Sequence, residues 1–494
     1  MKITPSSSYT HLSSQDAVAI LDSSYEIAGS VDFLPSERDQ NFKVTTEGKH
    51  QFVLKIASPF EKERLVGFQD EVLNFLIQGK FPFSIPTPVP DKNGNNIVRF
   101  KNQSGQERLI RLVSYIEGER LSEVAHKDGK LIRSLGKSVA SLHQTLTTFD
   151  EEIPERDGFA WDLTNASKVI SANLDYIDNV DQKHLLEKIC ENLETDIQPI
   201  LQELPSSLLH NDANDHNILV GPPSAEGRNV LGILDFGDMI YGPSIYDLAI
   251  SSAYAQMRSN DPLSIITTLV QAYNEVQPLS AAELEVLFPL ICARLAVSVS
   301  LSATHTHENN TDPYLTVSQQ DAWESLHSLG KIHSRLARDL LRDSCGYPPC
   351  PNNVKICNWL ETHKSDFGPL VKHPLNDCLV FDLSAESSSL PGLDTLTDVD
   401  QVTKLLFDKM DDSKSEVGIG RYAEPRLLYA SNHYVKTEGD FPERRTIHLG
   451  LDLFLPAESP ISAPLDGRVH SFKNNDLNLD YGPTIILEHS SEGI

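Results

Sequence analysis

Residues 208–250 read LLHNDANDHNILVGPPSAEGRNVLGILDFGDMIYGPSIYDLAI. The runs ILV at 218–220 and LGILDF at 231–236 are short and apolar, and the Gly, Pro and Ser between them make a turn, so the segment reads as a β-hairpin. That hairpin returns Asp235 to the side of Asn217, and Asp212 stands at the head of the same loop. Taken singly, each of the three is an ordinary loop residue that bonds its own backbone or opens a turn. Together they supply what phosphoryl transfer asks of a protein: a carboxylate beside an attacking hydroxyl, and oxygen ligands that keep Mg²⁺ on the β- and γ-phosphates.

Working outward toward the amino terminus, residues 25–57 alternate as three strands separated by polar turns, an antiparallel meander, followed by the helical pattern FQDEVLNFLIQG at 68–79. Lys55 lies on the third strand and Glu71 on the helix, the order in which a strand lysine contacts nucleotide phosphates and a helix glutamate holds it in place. No GxGxxG loop is present, which leaves backbone amides and Ser36 to cover the phosphates. Strand patterns at 95–100 and 107–116 complete a small lobe. The exit of the second, around Ser114 and Ile116, is where an inter-lobe hinge would offer backbone groups to a nucleotide base. Beyond Gly118 the apolar spacing turns helical, at 131–146, 165–203 and 280–342. These patterns predict an α+β chain: a Ser-rich leader at 1–19, a β-rich lobe at 20–117 and a helical lobe at 118–342.

Residues 20–342 resemble the aminoglycoside phosphotransferase and choline kinase superfamily, and within it the hydroxylysine-kinase-like branch. The resemblance is carried by SERDQNF at 36–42, WDL at 161–163, HNDANDHNILV at 210–220 and LDFGDMIYGPSIYDLAISSAYA at 234–255. Asn211 replaces the glycine that is common in the superfamily and points to this branch rather than to antibiotic-resistance enzymes. The resemblance implies a bilobal, protein-kinase-like fold and a kinase that moves the γ-phosphate of ATP or GTP to a hydroxyl of a small amino compound, a hydroxylysine-like amino acid or an amino alcohol. It makes Asp212 the base, Asn217 and Asp235 the Mg²⁺ ligands, Lys55 the nucleotide-phosphate contact and His210 a structural residue behind the loop. Asp215, Asp238 and Asp247 lie near the same loops, where they could attract a substrate ammonium group.

A formal net charge of −28 over 494 residues argues against binding nucleic acid, which requires clustered cations. The amino terminus has no signal-peptide pattern, and no run of about 18 apolar residues stands out, so neither export nor a membrane is expected and the cytoplasm is the default address. Six cysteines are too sparse for a disulfide framework, and the spacing of Cys345, Cys350 and Cys357 matches no zinc ribbon.

The composition of 343–420, with its Pro pairs and Ser387–Ser389, reads as a connector, and strand patterns return at 421–494. There RRTIHLGLDLFLPAESPISAPLDGRV, at 444–469, places His448 four residues before Asp452. It resembles the start of a lysostaphin-type zinc metallopeptidase domain, a family that also needs a later His-x-His pair, absent before Ile494. The expectation is an incomplete β-domain holding two of three Zn²⁺ ligands. Bacterial proteins similar to this chain fuse such kinase-like and peptidase-like domains to a pyridoxal-phosphate aminotransferase, which implies such a module as a partner. Two further functional readings remain at this stage: a nucleotide-binding module without turnover, and a zinc hydrolase acting through His448 and Asp452.

Overall fold

Period-two alternation builds the first lobe and sorts its side chains between core and cleft. Strands β1 (Gly29–Leu34), β2 (Gln40–Thr46) and β3 (Gln51–Ile56) form the expected antiparallel meander. Phe42, Val44, Leu54 and Ile56 point into a core shared with Ile110 and Leu112. The alternate positions Asn41, Val53, Lys55, Arg111 and Val113 face a cavity instead. Strand β4 (Pro88–Val89) is a short addition to the strands read from sequence; β5 (Val98–Lys101) and β6 (Glu107–Ser114) match expectation. β6 pairs with β3 on one side and with β4 and β5 on the other, and an edge position is where a strand tolerates the missing N–H of Pro88.

The computed structural model describes residues 11–36, 38–101, 105–307, 319–350, 352–373, 375–385, 387, 390–436 and 443–490. Of the leader expected at 1–19, residues 1–10 lie outside that range. The rest is not a detached segment: α1 (Ser14–Ile20) is closed by a capping box between Ser13 and Asp16, and Leu12, Ala17 and Ile20 are buried in the β-lobe core.

Helix α2 (Glu63–Gln78) packs Val72, Leu73 and Leu76 into the larger core of the helical lobe. That lobe contains α3 (Gly129–Leu146), α4 (Ala166–Asn173), α5 (Val180–Asn192), α6 (Gln198–Leu201), α7 (Ile245–Ala255), α8 (Pro262–Asn274), α9 (Ala281–His307), α10 (Gln319–Gly330) and α11 (Ser334–Ser344). Within α9, 18 consecutive residues inside 281–304 have a mean hydropathy of 1.9, and the helix is long and apolar enough to cross a bilayer, contrary to the sequence expectation that no such run exists. Their 83% burial, with α4, α7, α10 and α11 packed around them, accounts for the composition as that of a core helix.

Small antiparallel pairs carry the loop at residues 208–250. β7 (Glu119–Arg120) pairs with β9 (Ile218–Val220), β9 with β10 (Val230–Ile233), and β8 (Ser206–Leu209) with β11 (Ile240–Pro243). The unit extends through Cys350. Past the expected end at 342, Arg342 bonds the Pro348 carbonyl at 3.0 Å and the Tyr347 hydroxyl bonds the Leu279 carbonyl at 2.9 Å.

A second unit spans Pro351–Ile494. Helices α12 (Asn353–Thr362), α13 (Leu393–Leu396) and α14 (Val399–Ser413) accompany a sheet in which β12 (Leu379–Phe381) pairs with β13 (Gly418–Gly420), and β13 with Asp452–Phe454. Phe381, Leu406 and Met410 form its core, with Phe454 against them. The stretch 343–420, read as a connector from its composition, thus supplies two strands of this sheet, and no boundary falls at 420/421. Local composition could not show that partnership, because strand pairing is long-range.

Candidate active site

The β9–β10 hairpin forms in the register read from sequence: Ile233 lies opposite Ile218, and the Leu234 N–H donates to the Asn217 carbonyl at 2.8 Å. Asp212, Asn217 and Asp235 therefore line one cavity, together with Lys55 and Ser36. Asn217 Nδ2 donates to Asp212 Oδ2 at 2.7 Å and to the Asp212 carbonyl at 3.0 Å. Its amide oxygen has no hydrogen-bond partner among the described residues and is open to a cation. Lys55 Nζ bonds Asp235 Oδ1 at 3.0 Å. The lysine, then Arg38, holds the Asp235 carboxyl far below the usual carboxylate range, against the opposing effect of desolvation. A carboxylate and an amide oxygen are hard ligands, the pair a protein offers to Mg²⁺ when phosphates and water complete the shell.

Backbone strain and buried hydrogen bonds hold the loop. Asn211 has φ 64° and Asp235 φ 56°, left-handed conformations that Asn and Asp tolerate and that Gly adopts freely. This explains how Asn can stand where the superfamily commonly has Gly. His210 is fully buried; its Nδ1 accepts the Asp212 N–H at 3.2 Å, so the proton sits on Nε2, which donates to the Leu234 carbonyl at 2.9 Å. Burial pushes its pKa below the ordinary value and keeps the ring neutral.

Asp247 is also buried, and its two oxygens accept the His210 and Asn211 N–H groups at 2.9 and 2.7 Å. It serves as a bracket for the loop, not as the ammonium attractor that sequence suggested. Asp238 is likewise engaged, with Arg38 and, at 3.6 Å, Arg156. Asp215 is buried behind the loop, and desolvation raises its pKa.

Glu71 does not pair with Lys55. Its carboxylate bonds Arg64 at 2.8 Å on the outer face of α2. The preceding residue, Asp70, is the buried one and bonds Arg111 at 2.6 Å, with Gln69 on the same guanidinium. One residue turns a helix by about 100°, which separates the two carboxylates onto different faces. Arg111 lies directly opposite Lys55 across β3 and β6, so the cleft floor carries two cations where sequence indicated one.

Sequence reading also missed Arg294 on α9. Its Nη2 bonds Asp212 Oδ1 at 3.1 Å, its Nη1 bonds the Trp161 carbonyl at 3.2 Å, and its guanidinium stacks 4.5 Å from the Trp161 ring. The available signal was a lone charge within the apolar run LFPLICARLAVSVS at 287–300, since a buried cation must find partners.

A second cavity, of about 390 Å³, shares the floor of the first and opens beside Val53, Leu73, Val113, Ser114, Tyr115, Ile116 and Gly118. The Ser114 N–H is taken by the Thr87 carbonyl at 2.9 Å and the Tyr115 N–H by Gln51 at 3.1 Å. For Ile116 no hydrogen bond to the described residues is made.

The family model described as "Phosphotransferase enzyme family" matches residues 31–284, just over half of the chain and all of this machinery up to α9. The chain belongs to that family. It is similar to hydroxylysine kinase of Mus musculus, 28% identical over 326 residues, which are 62% of this chain and 86% of that protein. It is similar also to hydroxylysine kinase of Xenopus laevis, 30% identical over 350 residues, 65% of this chain and 91% of the relative. Among solved structures, amicoumacin kinase hAmiN, in complex with AMP-PNP, Ca²⁺ and Ami, superposes with a TM-score of 0.50 at 17% identity, over 66% of this chain and 97% of that one, a likeness of fold. This phosphotransferase is thus a small-molecule kinase of protein-kinase-like architecture.

In its second unit, His448 lies on β17 and Asp452 opens β18; β17 is Ile447–His448, preceded by β14 (Glu424–Pro425), β15 (Val435–Lys436) and β16 (Glu443–Arg444), and β18 is Asp452–Phe454. His448 Nε2 stands 3.2 Å from Asp452 Oδ1 without hydrogen-bond alignment, while Nδ1 bonds the Tyr429 hydroxyl at 3.0 Å and Arg426 holds Asp452 at 2.6 Å. Among the described residues no group of three or more His, Cys, Asp or Glu is placed to hold a metal. His489 bonds the Asp466 carbonyl at 3.0 Å.

Proposed function

We propose that this phosphotransferase transfers the γ-phosphate of ATP or GTP, as a Mg²⁺ complex, to a hydroxyl of a small amino compound, with hydroxylysine-like amino acids and amino alcohols as the leading acceptors. One observation carries the reading: Lys55, Asp235, Asn217 and Asp212 line one cavity, with Lys55 bonded to Asp235 and Asn217 bonded to Asp212, which suits the roles of phosphate contact, metal ligands and base. The relatives named hydroxylysine kinase support the choice of acceptor.

In this reading the second cavity takes the nucleoside between Val53, Val113 and Leu219, with the unbonded Ile116 backbone toward the base. Lys55 and Arg111 face the phosphates, and Ser36 closes over them. Asn217 and Asp235 would hold Mg²⁺, which neutralises phosphate charge as it is transferred. Asp212, oriented by Arg294 and Asn217, accepts the proton of the attacking hydroxyl. The six cysteines are all free thiols, which supports a cytoplasmic site of action beside the nucleotide pool.

The test is nucleotide consumption by the purified chain across amino alcohols, hydroxy amino acids and aminoglycosides, with Mg²⁺ present or chelated. Turnover with at least one such acceptor, lost on chelation, is expected. Nucleotide binding without turnover across the whole panel would leave a binding module instead.

A further inference from the structure

The cavity around Asp212 is walled on one side by α9, and two residues one helical turn apart on that helix, Arg294 and Ser298, both line it. Hydroxyls inside a helix normally turn back onto a carbonyl of the preceding turn. Ser300, Thr304 and Thr306 do so here, onto Ala296, Ser300 and Ser302. Ser298 is different: it is half-buried, it faces the cavity, and its hydroxyl makes no hydrogen bond to the described residues. Arg294, almost wholly buried, commits Nη1 to Trp161 and Nη2 to Asp212, while its Nε has no partner.

A helix turn sets the Cβ atoms of such a pair about 6 Å apart. A guanidinium lining the cavity and an unbonded hydroxyl one helical turn along from it complement an anion; an ammonium at the same place would meet the positive charge. Of the acidic groups elsewhere on the cavity wall, Glu61 and Asp238 are engaged by arginines, which leaves Asp39 to face an ammonium. The cavity therefore offers cationic and anionic surface to the two ends of a zwitterion.

Resting on the kinase reading above, we propose that Arg294 and Ser298 form a carboxylate subsite, so that the acceptor is a hydroxy amino acid and not the amino alcohol that lacks the acid group. Arg294 then serves twice, orienting Asp212 and attracting the carboxylate, whereas Ser298 serves only the acceptor.

The experiment compares 5-hydroxylysine with the hydroxy diamine left when its carboxylate is removed, using the full chain and its Ser298→Ala variant at saturating Mg-nucleotide. The expected result is a preference of about tenfold or more in kcat/KM for the amino acid, the scale of a hydrogen bond to a charged group. In Ser298→Ala the KM for the amino acid should rise by roughly the same factor, with the KM for nucleotide and that for the hydroxy diamine within about twofold of the parent. Equal kcat/KM for both acceptors in the parent, or an equal effect of Ser298→Ala on both, overturns the subsite while leaving the kinase reading intact. No turnover with either acceptor, or with any hydroxylated amine, refutes the kinase reading and the subsite with it.

Discussion

Asp70→Ala and Glu71→Ala, neighbours on α2, should behave in opposite ways. Asp70 and Arg111 each keep only 5% of their side-chain surface exposed, and their ion pair is 2.6 Å long. Burial raises the Asp70 pKa, with Arg111 and then Lys55 opposing it, so the pair persists because each charge answers the other. Removing the carboxylate strands a buried guanidinium beside Gln69 alone, a loss of about 3–5 kcal/mol. Glu71 and Arg64 are 49% and 44% exposed, and such a pair contributes about 0–1 kcal/mol. At about 2–4 °C per kcal/mol for a large domain, Asp70→Ala should lower the thermal midpoint by roughly 6–20 °C and Glu71→Ala by less than about 4 °C. Because Arg111 adjoins Lys55 on the cleft floor, Asp70→Ala should also raise the KM for nucleotide. Calorimetry and nucleotide titration on both variants test this. A larger effect from Glu71→Ala on either measurement would restore the lysine–glutamate pairing inferred from residue order and refute the geometry.

Asp212→Asn should lower turnover by about 10²–10⁴ with nucleotide binding retained; near-normal rates would remove Asp212 as base. Asp235→Ala should abolish metal-dependent nucleotide affinity and Asn217→Ala weaken it less, as read by calorimetric titration with and without Mg²⁺. His210 is buried neutral with a pKa below that of the unfolded chain, so between those two values the unfolded state binds more protons and stability falls as pH drops below about 6.5. The midpoint-against-pH slope in that window should shrink in His210→Gln, and an unchanged slope would assign it to other groups. Truncation after Cys350 should leave turnover intact, since every residue lining the two cavities precedes it; a folded but inactive truncation would contradict this. A cut at 420 should instead unfold the second unit, because it removes the third strand of the sheet, Asp452–Phe454.

Much of the site was legible in the linear order. Strand alternation fixed which of Leu54 and Lys55 faces the core, and the apolar runs on either side of a Gly and Pro turn fixed the hairpin register that sets Asp235 beside Asn217. Both are local effects: a period of two and a turn are written within a dozen or so residues. Left-handed backbone at Asn211 was likewise foreshadowed by a residue type that tolerates it.

The tertiary structure alone decided the partners of charges. Whether Asp70 or Glu71 faces the sheet depends on the rotational setting of α2 against β3 and β6, which packing of Val72, Leu73 and Leu76 determines. Arg294 reaches Asp212 from 82 residues away, and Asp247 reaches the His210 and Asn211 amides from the first turn of α7, because helices α7 and α9 pack beneath the loop. Buried charges and backbone groups must be satisfied by whatever lies next to them in space. Sequence specifies that such partners must exist; only the packed fold selects them.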